Sequence, residues 1–472
     1  MNFAVVLNGL TSQPGPWRPM AAAPVGRRMV SHRPVSGRSA SLAWKWLAVI
    51  LLTLSSRPII ANPQSAGPVD LRPNAVAFRQ MKYGIFITQT YGVTASPPGH
   101  KIATLDEFAA AFDVQTFADQ MASIGVEYVY FTAWHKSMYF VGPNQALEKW
   151  LPGHTAKRDL VGEIAAALLK KNIKLVIYAH PNDGHDLTPE EQARVGFSDR
   201  ARDGNRKYNN FINEVFAELT ARYGQQPNVL GYWWDSWWHN GGPLDMPRLR
   251  KTVLAKFPGA IILSNNYDAK FIDFLSGEGG RMGSLHGMVA TKDNLTWYLG
   301  GDWWNNNPNT TISITPDDMY RFLLLMVGTG APGGMSWALS PLADGKTWGA
   351  NNQPLEVMQA LGKLIAPVRP TICSVLPSRN WRLPSATDWS KAPAFVAARS
   401  RDNKQEYVHV LKAPEGRFIA LPKPVESFAS ARMYLSKRKV AMAAQGDVLR
   451  LTLPEGEPWS ALDTVIELTI KR

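Results

Sequence analysis

The stretch GYWWDSWWH, Gly231 to His239, sets one carboxylate, Asp235, among four tryptophans, Trp233, Trp234, Trp237 and Trp238. The residues before it, Val229 to Trp234, are apolar and aromatic and predict a buried strand. A carboxylate at the end of such a strand loses its hydration unless something partners it. Asp235 therefore either caps the next helix or does chemistry. A second acid, Glu278, sits in the glycine-rich run Gly277 to Gly280 after another apolar segment. Two carboxylates at different strand ends are what glycoside hydrolysis requires, with Asp235 as nucleophile and Glu278 as acid/base. A separation of roughly 5 Å would retain anomeric configuration, and about 6.5–9.5 Å would invert it. Asp268, Asp273 and Asp302 are rival acids.

The elements that must position these groups alternate. Strands are expected at Tyr83–Thr88, Glu127–Thr132, Lys174–Ala179, Val229–Asp235, Ala260–Ser264, Phe271–Ser276 and Gly334–Leu339. Amphipathic helices are expected at Asp106–Ile124 (with a turn near Asp113), Arg158–Lys171, Asn205–Tyr223, Pro247–Phe257, Thr315–Val327 and Leu355–Ile365. Ser284 to Asn309 is rich in Gly, Trp and Asn and gives no clear periodicity. This alternation predicts an α/β fold, a (β/α)8 TIM-like barrel over 76–375. The first unit lacks a GxGxxG motif and no Walker sequence occurs, which argues against a dinucleotide domain or a P-loop enzyme. Beyond Pro377 short strand-like runs follow one another without helices, predicting a small C-terminal antiparallel β-sandwich over 376–472.

In such a barrel the site lies at the C-terminal ends of the strands. Those ends supply Gln89, Trp134, His135, His180, Asp235, Trp237, Asn265 and Glu278. Hydroxyls need amide, imidazole and carboxylate partners, and the C–H face of a sugar packs on indole. A carbohydrate is therefore the expected partner. His135, His180, His185, Asp183 and Asp186 could gather a divalent ion. The segment HPNDGHD is loop-like, however, and no HxH or HExxH pairing is present, so neither metal nor other cofactor is expected.

The 472 residues suffice for one large domain and a small one, and the net charge of +13 first suggests nucleic acid. Seven lysines and arginines precede the first acid, Asp70, which leaves +6 spread over the rest without a long basic run. No nucleic-acid partner is expected. The same basic leader runs into the apolar core Trp46–Leu54 and then small residues, the order of a secretory signal peptide. We expect a leader over 1–61, a linker over 62–75, and export to the periplasm or beyond. The apolar run is short for a membrane span; it would anchor the chain only if left uncleaved. The single cysteine, Cys373, excludes an internal disulfide, and TICSVL is expected to be a buried strand.

Several blocks resemble glycoside hydrolase family 29, the α-L-fucosidases. FRQMKYGIFIT, Phe78 to Thr88, is similar to the family's opening strand, and Phe112–Phe117 and Lys157–Tyr178 to its next blocks. Trp233-Trp234-Asp235 stands where the family carries its nucleophile. The resemblance implies a retaining, α-L-fucosidase-like hydrolase with Asp235 as nucleophile, His135 and His180 on sugar hydroxyls, and Trp134 and Trp237 framing the ring. The chain departs from the pattern at Thr88-Gln89, where the family has His-Trp, and at Ala133–Met138, where only the second histidine of its pair remains, as His135. Gln89 would stand in for a lost sugar ligand. The alternatives are a glycosidase for another sugar on the same frame and a non-catalytic carbohydrate-binding protein.

Overall fold

The structure, a computed structural model, describes residues 72–471 except 199–202, 236–243, 266–270, 280–288, 292, 300–302, 304–306 and 386. The expected leader, residues 62–71 of the linker, Trp237, Asp268 and Asp302 lie outside the described residues. Among the described residues no helix is long and apolar enough to cross a membrane.

Strands β1 (Tyr83–Ile87), β2 (Tyr128–Trp134), β3 (Lys174–Ala179), β4 (Val229–Trp234), β5 (Ile261–Ser264) and β6 (Phe274–Gly279) pair in parallel, each with the next. The two-residue β7 (Val289–Ala290) lies outside this sheet, while β8 (Asn294–Tyr298) and β9 (Met335–Ala338) complete it. Ile85 of β1 is registered with Val129 on one side and Trp337 on the other, so the sheet closes into an eight-stranded barrel. Strands covered on both faces read as unbroken apolar runs, and YVYFTAW of β2 is buried at every position. The helices are set by local signals. Thr104 and Glu107 form a capping box, Asp113 and Asp159 cap the next two long helices, and Thr315 caps Pro316–Thr329.

Alternation along β4 divides the work of the strand. Tyr232 and Trp234 pack outward on Phe216 of the helix Arg206–Tyr223. Trp233 points inward, 5.1 Å from the ring of Tyr178 and 6.1 Å from Phe86. Below this aromatic layer, Asn294 ties the barrel together through Tyr130, Ser276 and Tyr128 at 2.7–3.1 Å.

The C-terminal part contains β10 (Leu376–Pro377), β11 (Thr387–Asp388), β12 (Phe395–Arg399), β13 (Gln405–Val410), β14 (Phe418–Pro422), β15 (Phe428–Met433), β16 (Lys439–Gln445), β17 (Val448–Thr452) and β18 (Thr464–Ile470). All but β11, which pairs with β7, form one antiparallel sheet in the order β10-β12-β13-β18-β15-β16-β17-β14. It curls around Val408, Leu421, Leu451 and Ile466. Asp463 anchors it to the barrel by accepting a hydrogen bond from Tyr320 at 2.7 Å, and is itself held by His409 of β13 at 2.7 Å.

Three expectations shift. The sixth strand starts at Phe274 rather than Phe271, because Asp273 is drawn into ion pairs with Arg72 at 2.6 Å and Arg250 at 2.7 Å. Glu278 is thereby part of the strand rather than of a loop. The missing barrel strand is NLTWY, 294–298, inside the stretch that gave no periodicity. Cys373 is buried but follows the short helix Arg369–Ile372 instead of lying in a strand; Pro370 favours a helix start there.

Gly231 controls how β4 reaches the site. The register with β3 slips between Leu175 and Val176, an irregularity that re-aims the strand just before Asp235. Gly231 has φ +151°, and a Cβ there would lie 2.0 Å from the backbone oxygen of Ile261. Gly231→Ala should therefore cost on the order of 3 kcal/mol and lower the thermal midpoint by several degrees, roughly 2–4 °C per kcal/mol. An unchanged midpoint in a melting experiment would contradict this role.

Candidate active site

Asp235 follows β4 on the inward-facing side and is 9% exposed. Two neighbours from adjacent strands hold its two oxygens. The Tyr178 hydroxyl, from β3, donates to Oδ2 in a short hydrogen bond. The Asn265 amide, just after β5, donates from Nδ2 to Oδ1 at 2.7 Å. The same nitrogen donates to Oε1 of Glu278, from β6, at 2.9 Å. Two contacts of 2.7 and 2.9 Å to one nitrogen leave the accepting oxygens no farther apart than their sum, 5.6 Å.

That proximity separates the protonation behaviour of the pair. Glu278 is exposed by its accessible surface, although protein crowds its carboxyl group. Burial first, and the Asp235 charge second, push its carboxyl up to about 8, while the Asn265 hydrogen bond pulls the other way. At neutral pH Glu278 thus keeps a proton to give. Tyr178 also stays protonated, because burial and then the Asp235 charge raise its hydroxyl well above the ordinary tyrosine range.

Two histidines complete the described wall. The His135 and His180 rings meet edge to face at 5.0 Å, and His135 stacks over Tyr178 at 6.2 Å. A ring nitrogen of each lies within 4.8 Å of the other's and of an Asp235 oxygen. Burial, and then the neighbouring His180, push His135 down to about 3, although Asp235 opposes this. His135 is therefore a neutral imidazole, suited to exchanging hydrogen bonds with hydroxyls. The chain leaves it through Lys136, Ser137 and Met138, with φ of 55°, 55° and 57°. Left-handed backbone at residues with a Cβ costs on the order of 1–2 kcal/mol each, and such strain gathers at functional sites. The turn is pinned by Ser137, whose Oγ donates to the Asp186 carbonyl at 3.3 Å and whose own carbonyl meets His154 Nδ1 at 2.8 Å.

The structure thus brings Asp235, Glu278, His135 and His180 to one place. Trp134 and Gln89 are turned elsewhere. The Trp134 indole packs on Phe140 and Phe216 in the helical layer and donates Nε1 to the His180 carbonyl at 3.1 Å, so it supports the His180 segment from behind. Gln89 is fully buried and donates its amide to the carbonyls of Pro341 and Leu342, at 2.8 and 3.2 Å. It fastens the end of β1 to the segment after β9. Asp273, a rival acid, is held in its two arginine pairs beside β5. Tyr178 and the bridging role of Asn265 were not read from sequence. Tyr178 sits second from last on its strand, and inward alternation from Val176 could have found it.

If the Asp235 charge contributes to the raised Glu278 value, Asp235→Asn should lower the Glu278 titration, because its ionisation no longer meets a neighbouring negative charge. Burial, the larger cause, should keep it above the usual carboxylate range. Carbon-13 NMR of side-chain-labelled protein reads this directly, and an unmoved titration would contradict the coupling.

A family model, Alpha-L-fucosidase, matches residues 74–272. No curated protein sequence matches the chain. Among solved structures, the chain is similar to α-L-fucosidase isoenzyme 1 from Paenibacillus thiaminolyticus, with 19% identity and a TM-score of 0.62 over 85% of this chain and 99% of that one. It is also similar to a GH29 α-L-fucosidase from Bacteroides thetaiotaomicron, trapped as a covalent intermediate with 2-fluoro-fucosyl fluoride in a Glu-to-Gln mutant. There the identity is 16% and the TM-score 0.60, over 85% and 96% of the two chains. The α-fucosidase of Thermotoga maritima with a mechanism-based inhibitor gives 16% and 0.58, over 84% and 97%. At these identities the solved structures speak to the fold, an eight-stranded parallel barrel with a C-terminal β-sheet domain. By family model over residues 74–272 and by fold, the chain resembles the family 29 α-L-fucosidases.

Proposed function

We propose that the protein is an exported hydrolase of terminal α-L-fucosides that retains anomeric configuration through a covalent intermediate on Asp235. The observation that carries the reading is the Asn265 bridge. An upper limit of 5.6 Å between the bridged oxygens supports the short carboxyl separation of retaining enzymes, roughly 5–5.5 Å, over the about 6.5–9.5 Å of inverting ones.

In the first step an oxygen of Asp235 attacks the anomeric carbon. Glu278 gives its proton to the leaving glycosidic oxygen as the bond to the aglycone breaks. Tyr178 and Asn265 hold Asp235 in line, so that little reorganisation accompanies the attack. Once Asp235 is esterified its charge is gone, and Glu278 ionises more readily. It then takes a proton from water as the water's oxygen attacks the same carbon and the bond from that carbon to Asp235 breaks, leaving free sugar, an Asp235 carboxylate and a protonated Glu278. Neutral His135 and His180 offer hydrogen bonds to the sugar hydroxyls. The apolar layer of Trp233 and Phe86 below suits a deoxysugar better than a fully hydroxylated one.

The test is hydrolysis of an aryl α-L-fucoside by wild type and Asp235→Ala. Activity should fall by at least about 10³-fold in the variant; activity within tenfold of wild type would remove Asp235 from the nucleophile role. In the wild type kcat/KM should decline as pH rises through about 8, because Glu278 is needed in its protonated form. Glu278→Ala should lose that alkaline limb and regain turnover with azide. A limb that persists in Glu278→Ala would place the acid elsewhere. Sugar binding without hydrolysis of any aryl glycoside would favour the carbohydrate-binding alternative.

A further inference from the structure

Beside the site, the turn after β3 forms a single 3-10 turn, Asp183-Gly-His-Asp186, and presents three metal-ligating side chains together. One ligand atom from each of Asp183, His185 and Asp186 lies within 4.8 Å of the others. His185 Nδ1 is 3.7 Å from Asp183 Oδ1, and its Nε2 is 3.4 Å from Asp186 Oδ1. Both are long for hydrogen bonds. A single ion takes one ring nitrogen of His185, so these two distances, to opposite nitrogens, do not both belong to one coordination sphere; what gathers the three side chains is that one ligand atom of each lies within 4.8 Å of the others. The second observation is Asp183 itself. It is 0% exposed, and among the described residues no well-formed hydrogen bond reaches either carboxylate oxygen, the Lys136 amide giving only weak support. A buried carboxylate so poorly partnered needs a proton or a cation.

We propose that Asp183, His185 and Asp186 bind one divalent transition-metal ion of the zinc or manganese type, at a site separate from the Asp235 pair. An imidazole with two carboxylates favours these ions over magnesium or calcium. Three protein ligands leave a coordination position open to solvent, and the half-open His185, with 38% of its side chain accessible, lets the ion enter. The turn is held in shape around it. A Cβ on Gly184 would lie 2.2 Å from the Phe197 ring, and Gln192 donates to the carbonyls of His185 and Leu187. Because the Asp186 carbonyl receives the Ser137 hydroxyl, the ion would also brace the left-handed turn that follows His135.

The experiment uses the full chain, freed of any affinity tag, stripped with chelator and dialysed in parallel against zinc, manganese, magnesium or calcium, with metal content read by mass spectrometry and affinity by calorimetry. The expected result is one equivalent of zinc or manganese per chain. Affinity should drop by at least about tenfold in His185→Ala, a rim substitution that leaves the core intact, and in the isosteric Asp183→Asn. Asp235→Asn should bind as wild type does. No metal above the buffer blank, binding untouched by His185→Ala, or binding lost in Asp235→Asn in place of the other two would each overturn the proposal. The last outcome would put the ion among His135, His180 and Asp235.

Discussion

One amide nitrogen governs the electrostatics of this site. Asn265 Nδ2 binds an oxygen of Asp235 and an oxygen of Glu278 at once, so the two carboxyl groups cannot move apart while it holds them. Two negative charges that close repel each other, which favours a proton on one of the pair. The proton therefore has a preferred home. Among the described residues Asp235 accepts from Tyr178 and Asn265, while Glu278 accepts the shared Asn265 bond and faces a neighbouring charge. On the proposed mechanism, this unequal hydrogen bonding fits Asp235 to be the nucleophile and Glu278 the proton donor.

Much of the barrel serves this constraint. The bridge joins residues at the ends of β4, β5 and β6, so its length depends on the stagger of three strands. Gly231 lets β4 lie hard against β5, and the slipped register beside it aims Asp235 inward. Tyr178 rests on the ring of Trp233 and carries its hydroxyl up to Asp235 from a rigid aromatic floor. The strained turn at Lys136–Met138 lies immediately beyond His135, where the surrounding fold over-determines it. The C-terminal sheet is further off, docked on the helix Pro316–Thr329 through Asp463.

The barrel was legible because its strands are buried on both faces and announce themselves as apolar runs. The two places where the reading slipped have identifiable causes. The first-shifted strand, β6, is preceded by Phe271 and Ile272, which look like strand but precede an aspartate pulled into two arginine pairs. The unread strand, β8, carries Asn294 and Thr296 inside the barrel, where they are buried in a polar network instead of an apolar core. For the site, the strand-end rule located Asp235, His135, His180 and Glu278 as a cluster. It could not tell which face a residue takes, and so it could not foresee that Trp134 backs onto the helices or that Gln89 spends its amide on Pro341 and Leu342. The closeness of Asp235 and Glu278 is a property of register and of Asn265, and neither can be read from spacing along the chain.

The central claim, a covalent intermediate on Asp235, has a direct measurement. The protein would be incubated with 2-fluoro-fucosyl fluoride, digested, and its peptides mapped by tandem mass spectrometry. The expected result is a single fluorofucosyl adduct, on the Asp235 side chain. An adduct on Glu278 or another residue, or hydrolysis of the reagent with inversion and no adduct at any time, would contradict it.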